Sequence, residues 1–142
     1  MNNREREARR WWRQADRDLE SGRITARHDR HEVACFLSQQ AAEKALKSFL
    51  YAQGEDPVLG HSLLELCRRS GSYEPELGEL RVEAKRLDAV YVSTRYPNGL
   101  SGELTPGDFF DATDSEAALA ASAKILAVVR NRLSEAVTSV PE

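Results

Sequence analysis

Val33 to Ala52 reads VACFLSQQAAEKALKSFLYA, and the pattern of this stretch decides the fold. At about 100° per residue, Ala34, Leu37, Ala41, Ala42, Ala45, Leu46 and Phe49 cover roughly half of a helix, whereas Gln40, Glu43, Lys44 and Lys47 gather on the opposite arc. An apolar face that wide needs several neighbours, so the flanking segments must supply helices that cover it. The polar stripe is expected to face water, a partner or a ligand.

Working toward the amino terminus, Ala8, Trp12, Ala15 and Leu19 recur at helical spacing and predict a first helix over residues 4 to 21, with Gly22 as its stop. Trp12 belongs to the core side. Trp11 widens the stripe and is expected at the core edge or a subunit interface. Toward the carboxyl terminus, Gly54 and Pro57 break the central helix, and Ser62-x-x-Glu65 is a capping-box signature for a short helix ending near Gly71. Leu77, Leu80, Ala84, Leu87 and Tyr91 then predict a helix from Pro75 to Ser93, stopped by Tyr96-Pro97-Asn98-Gly99. An ordered or semi-ordered loop follows to about Ala112. Thr113-x-x-Glu116 is a second capping-box pattern, opening a last helix from Glu116 to Val137 whose buried stripe is Leu119, Leu126, Val129, Leu133 and Val137. With no strand pattern, repeat or low-complexity tract, the expected fold is all-α: an up-and-down helical bundle of four long helices plus one short helix.

The chain has 142 residues, enough for one hydrophobic core without disulfides or structural metal, so a single domain over 1–142 is expected, with its core at about 5–137 and a fraying tail at 138–142. Its 41% apolar and 30% charged residues are those of an ordinary globular protein. No apolar run approaches the roughly 20 residues that span a bilayer. The Arg- and Glu-rich start lacks the apolar core of a signal peptide, which leaves a cytoplasmic location and no membrane association as the expectation. Cys35 and Cys67 both sit in apolar patterns and are expected as reduced, packed thiols. Two cysteines and three histidines at these spacings make a poor ligand set, so neither metal nor cofactor is expected.

A net charge of -3 argues against a wholesale nucleic-acid-binding surface. The charges are nonetheless blocked. Nine arginines face six acids within residues 1–31, and no Lys or Arg lies between Arg95 and Lys124. Such blocks can steer partners or self-association, or simply form solvated faces.

Four pieces in order carry a resemblance to a known family: Trp12 with Ala15 and Asp18-Leu19; Phe36 to Lys47, FLSQQAAEKALK; His61-Ser62-Leu63; and Leu87-Asp88 with Tyr91 and Thr94-Arg95-Tyr96-Pro97. Together with the closing Ala-rich helix, the set resembles the HEPN family, the nucleotide-binding domains of higher eukaryotes and prokaryotes. The resemblance implies a small helical bundle, commonly a homodimer, that acts with a minimal nucleotidyltransferase as a two-component module. Some members resemble toxins of toxin–antitoxin pairs and cut RNA without metal, using an Arg followed four to six residues later by His. After Arg95 this chain has no such histidine. Arg23-Ile24-Thr25-Ala26-Arg27-His28 matches the spacing, but in a polar connector away from the expected place. The resemblance therefore implies a nucleotide- or RNA-phosphate-binding module without catalytic residues of its own, the alternative being a metal-independent ribonuclease that borrows His61 or His28.

The candidate ligand residues are Lys44, Lys47, His61, Arg95 and Tyr96. Lys44 and Lys47 share a helix face and offer positive charge to a phosphate, and the Arg95 guanidinium can hold two phosphate oxygens at once. Tyr96 or Tyr91 can stack on a base, and His61 can donate a hydrogen bond or titrate near neutral pH. Structural uses exist for each. Glu43 and Lys47 form an i, i+4 pair, Arg95 can cap the preceding helix or pair with Asp88, His61 can help cap the short helix, and Tyr91 continues a buried stripe.

Overall fold

The structure, a computed structural model, describes residues 1–139, and among these every regular element is a helix. They are α1 (Asn3–Arg27), α2 (His31–Ala52), α3 (Leu63–Gly71), α4 (Pro75–Gly78), α5 (Arg81–Asp88), a 3-10 turn at Pro97–Gly99, α6 (Pro106–Phe109), α7 (Ala112–Arg130) and α8 (Glu135–Thr138). The all-α bundle is as expected. α2 is its axis and packs against α1, α7, α3 and α5. Leu46, Phe49 and Leu50 of α2 meet Trp12 and Leu19 of α1, Leu63 and Leu66 of α3, and Ile125 and Val129 of α7 in one buried cluster. No described helix is long and apolar enough to cross a membrane.

Enclosure on several sides changes the fate of the polar stripe. Glu43 and Lys47 are only 4% and 5% exposed, so this part of the stripe does not face solvent. Their charges are met by neighbours instead of water, as described below.

α1 outruns its predicted end by six residues because Gly22 is a packing position and not a stop. A Cβ there would lie 3.2 Å from Leu119 Cδ2 and 3.6 Å from the Ala34 carbonyl oxygen, so the missing side chain lets α1, α2 and α7 approach closely. The chain reverses instead at Asp29, whose φ of 58° places it in the left-handed region that Asp tolerates. Trp12 is buried, while Trp11 lies at the core edge, stacked on Tyr51 at 5.5 Å between ring centroids.

The helix predicted over 75–93 is divided. Gly71 and Gly78 bring α3 and α4 into backbone contact, a Cβ on Gly71 falling 2.8 Å from Gly78 Cα, and regular helix resumes only at Arg81. It ends at Asp88, after which turns run to Arg95. Leu77, Leu80, Ala84 and Leu87 still reach the core, but Tyr91 is only half-buried.

The long loop contains α6, closed by a reciprocal capping box between Thr105 and Asp108. Phe110 is buried beneath it and Phe109 is 50% exposed. α7 begins at Ala112, four residues before its predicted start, because Asp111 and Asp114 form the capping box and Thr113 and Glu116 do not. Chain direction changes again after Arg130, so the predicted last helix is two, α7 and α8. Val137 is buried and Leu133 half-buried. Within the expected fraying tail, Thr138 closes α8; residues 140–142 lie outside those described. Cys35 and Cys67 are free and buried, and burial pushes both thiols up to about 12.

Candidate functional site

The five predicted ligand residues do not converge on one point. Lys44 turns toward α1 and forms an ion pair with Asp18, whose other oxygen accepts from the Gln14 amide at 2.7 Å. Lys47 lies 3.3 Å from Glu43 Oε2 and 5.5 Å from the centre of the Trp11 ring. Each ammonium is thus neutralised by a carboxylate within the seam between helices. Neither is an open cation, which corrects the expectation of a solvent-facing lysine stripe.

His61, Arg95 and Tyr96 do come together, on residues that sequence spacing could not pair. The Arg95 guanidinium carbon sits 4.8 Å from the ring centre of Phe36, 4.6 Å from Tyr91 and 5.2 Å from Tyr96. Its Nε donates to the Tyr91 carbonyl oxygen at 3.2 Å, within the turns that follow α5 and not at the helix end where a cap is expected. Among the described residues, neither Nη atom has a hydrogen-bond or ion-pair partner, and the expected pairing with Asp88 is not formed. The rings hold an exposed cation in place, and among the described residues its two outer nitrogens are left without a hydrogen-bond partner. Phe36, on α2, stands in the sequence only as part of the family-like stretch Phe36 to Lys47 and not as a site residue.

His61 stacks on Tyr91 as well, with ring centroids 5.4 Å apart and planes 25° from parallel. Its side chain is 65% exposed, yet Nδ1 lies 3.0 Å from Oε1 of Glu43. Glu43 therefore joins two neighbourhoods, with Lys47 beneath it and His61 above. Gln39 reinforces the arrangement by donating from Nε2 to the His61 carbonyl oxygen at 3.2 Å. A carboxylate accepts and does not donate, so Nδ1 must carry the proton of this hydrogen bond, and neutral His61 presents its lone pair on Nε2. The free nitrogen can donate only in the protonated ring, which narrows the expectation that His61 would serve as a donor.

The loop holding His61 is fixed by a cap that crosses from α5 to α3. Asp88 accepts from Leu63 N–H at 2.7 Å, from Leu64 N–H at 3.0 Å and from the Ser62 hydroxyl at 3.2 Å. Ser62 Oγ in turn accepts from Glu65 N–H at 3.2 Å. The Glu65 side chain does not complete the predicted box; Arg68 engages it and holds its carboxyl below the usual range. The helix start is as the sequence implied, with half of its capping supplied from Asp88. His28, by contrast, is the exposed C-cap of α1 and adds no ring or cation contact to the Arg95 cluster. No group of three or more His, Cys, Asp or Glu among the described residues could hold a metal ion.

The fold is thus an all-helical bundle that carries a cation–aromatic cluster beside its interhelical loops and a histidine hydrogen-bonded to a buried carboxylate. The HEPN domain model matches residues 8–132, and the chain belongs to that family. Among solved structures it is similar to TT1696 from Thermus thermophilus, with a TM-score of 0.79 and 34% identity over 89% of this chain and 98% of that one. It is also similar to ST0689, described as an archaeal HEPN homologue, with a TM-score of 0.72 and 32% identity over 90% of this chain and 98% of that one. A curated relative from Methanocaldococcus jannaschii, named "Putative toxin MJ1304", is 26% identical over 130 residues, covering 87% of this chain and 86% of its own.

Proposed function

We propose that this HEPN-domain protein binds the phosphate of a nucleotide or of RNA at Arg95, as a non-catalytic homodimeric module that works with a minimal nucleotidyltransferase-type partner. The observation that carries the proposal is the exposed Arg95 guanidinium, set among the rings of Phe36, Tyr91 and Tyr96 with no hydrogen-bond partner for its Nη atoms among the described residues. A guanidinium held in that manner has lost much of its side-chain freedom before a ligand arrives, and its fork matches two phosphate oxygens. Tyr96, 52% exposed, offers a ring on which a base can stack. Lys44 and Lys47 have no direct part in this site, being held by Asp18 and Glu43. Phe109 is one of the exposed apolar residues available to a second copy, whereas Trp11 and Phe110 are largely engaged within the chain.

Titration of ATP, GTP and short RNA, followed by intrinsic tryptophan fluorescence, tests the binding reading. Arg95→Ala is expected to weaken binding at least tenfold, and unchanged affinity would remove the site. A monomeric mass by light scattering at micromolar concentration would exclude the homodimer, and failure to co-purify with a coexpressed minimal nucleotidyltransferase would count against the two-component module.

A second reading, a metal-independent ribonuclease toxin, is supported by the toxin name of the relative and by His61 and Arg95 meeting on the Tyr91 ring. Incubation with labelled RNA in chelator separates the two. Cleavage that disappears in His61→Ala would favour the toxin over the binding module.

A further inference from the structure

We infer that the outer face of α1 binds the phosphodiester backbone of a nucleic-acid strand, along a row of four arginines that shares no residue with the Arg95 cluster. This surface holds its ligand by charge and reads neither base nor sugar.

At about 100° per residue, Arg6, Arg10, Arg13 and Arg17 fall within an arc of about 60° on α1, and at about 1.5 Å per residue the row is roughly 16 Å long. Ala8, Trp12, Ala15 and Leu19 are buried on the opposite side of the helix, so the row is its outermost ridge, and all four arginines are exposed. Arg6 meets the neutral Asn3 side-chain oxygen at 3.0 Å and Arg10 pairs with Glu7 at 2.9 Å. Among the described residues, Arg13 and Arg17 have no ion-pair or hydrogen-bond partner. Asp16 stands to one side of the row and Glu20 beyond its end, and neither pairs with it.

The row works against the helix that carries it. Like charges three and four residues apart repel, and Arg6 stands near the positive end of the helix dipole, where a cation is disfavoured. An anionic chain lying along the ridge relieves both effects. The ridge suits no apolar partner, because its arc holds arginines alone between Arg6 and Arg17. A protein interface is built on an apolar or aromatic centre with charge at its rim. A helix that lies in a membrane surface turns an apolar face outward, whereas α1 turns its apolar face into the core. Forked guanidinium donors in line, without an apolar anchor, match a run of phosphates, whose counterions are released on contact. Phosphates are alike in every strand, so such contacts position a strand without specifying its sequence.

The test titrates a labelled single strand of about 12 nucleotides, as RNA and as DNA, over a series of salt concentrations. The proteins are wild type, the ridge pair Arg13→Gln with Arg17→Gln, a control pair Arg81→Gln with Arg86→Gln on α5, and Arg95→Ala. The four paired positions are exposed and Gln sustains a helix, so the fold survives, and urea unfolding should show the ridge pair no less stable than wild type. Wild-type affinity is expected to fall steeply with salt. Two lost phosphate contacts on a single strand should lower the slope of log affinity against log salt by about 1.4, and the affinity at about 0.1 M salt by about 20-fold, in the ridge pair. RNA and DNA should respond alike, and the control pair should stay near wild type. Equal losses from the two pairs, a ridge effect confined to RNA or to DNA, or no wild-type binding at low salt would overturn the inference. A loss in Arg95→Ala with none in the ridge pair would overturn it and keep the Arg95 site, whereas the reverse would keep the ridge and remove that site.

Discussion

Asp88→Ala should cost about 2–3 kcal/mol of stability, although Asp88 is neither core nor active in chemistry. Its carboxylate takes two main-chain N–H groups at the first turn of α3, Leu63 at 2.7 Å and Leu64 at 3.0 Å, together with the Ser62 hydroxyl at 3.2 Å. Loss of a side-chain cap costs typically about 1 kcal/mol and up to about 2. Negative charge at a helix amino terminus contributes roughly 0.3–1 kcal/mol more. The upper part of the range applies because Leu63, Leu66 and Cys67 are buried from the helix that this cap starts. Asp88→Asn keeps one carbonyl acceptor and loses the charge, so it should cost about half as much, roughly 1–1.5 kcal/mol. Urea unfolding followed by tryptophan fluorescence measures both, provided the denaturant slope is unchanged. A loss under about 0.5 kcal/mol for Asp88→Ala, or equal losses for the two variants, would refute the bridging-cap argument.

Two further outcomes follow from groups buried in the same core. Lys47→Met should destabilise by about 2–4 kcal/mol because Glu43 keeps its buried charge without the ammonium, and the double variant with Glu43→Gln should regain at least half of that loss in a double-mutant cycle. Cys35 and Cys67, held at about 12 by burial against an ordinary 9.0, should resist a thiol reagent at pH 8 in the native protein and react fully in denaturant. Unfolded thiols ionise at lower pH than native ones, so the contribution of these cysteines to stability is intact below about pH 9 and is lost progressively as pH rises toward about 12.

The apolar period of residues 33 to 52 was enough to name the central helix, because burial of that face is a local property of spacing. The fate of its polar arc was not local. A stripe of Gln, Glu and Lys looks the same whether it meets water or a neighbouring helix, and here Asp18 and the Trp11 ring of α1 decided the matter. Gly22 misled for a similar reason: a glycine that ends a helix and one that admits a neighbouring helix differ only in what lies opposite, here Leu119 and the Ala34 carbonyl. The capping box that starts α7 is Asp111 with Asp114, two residues ahead of the Thr113-x-x-Glu116 pattern read in the sequence, so the helix begins earlier than that pattern implied. Of the site, His61, Arg95 and Tyr96 were legible as residue types. Their assembly was not, since it depends on Phe36 of α2 reaching Arg95 across the fold and on Tyr91 meeting both Arg95 and His61.

The ion pair between α1 and α2 has a consequence for register. A helix interface made only of Ala and Leu tolerates sliding by a turn, about 5.4 Å, because one apolar contact replaces another. Lys44 against Asp18 does not. Shifting α1 by one turn would set Gln14 or Gly22 near Lys44 and strand both a half-buried ammonium and a buried carboxylate, a penalty of several kcal/mol. The same displacement would pull Trp11 from Lys47 and Tyr51. The stripe that marks the central helix in the sequence thus acts as an index mark, selecting one alignment of the two longest helices from several that the apolar surface alone would accept.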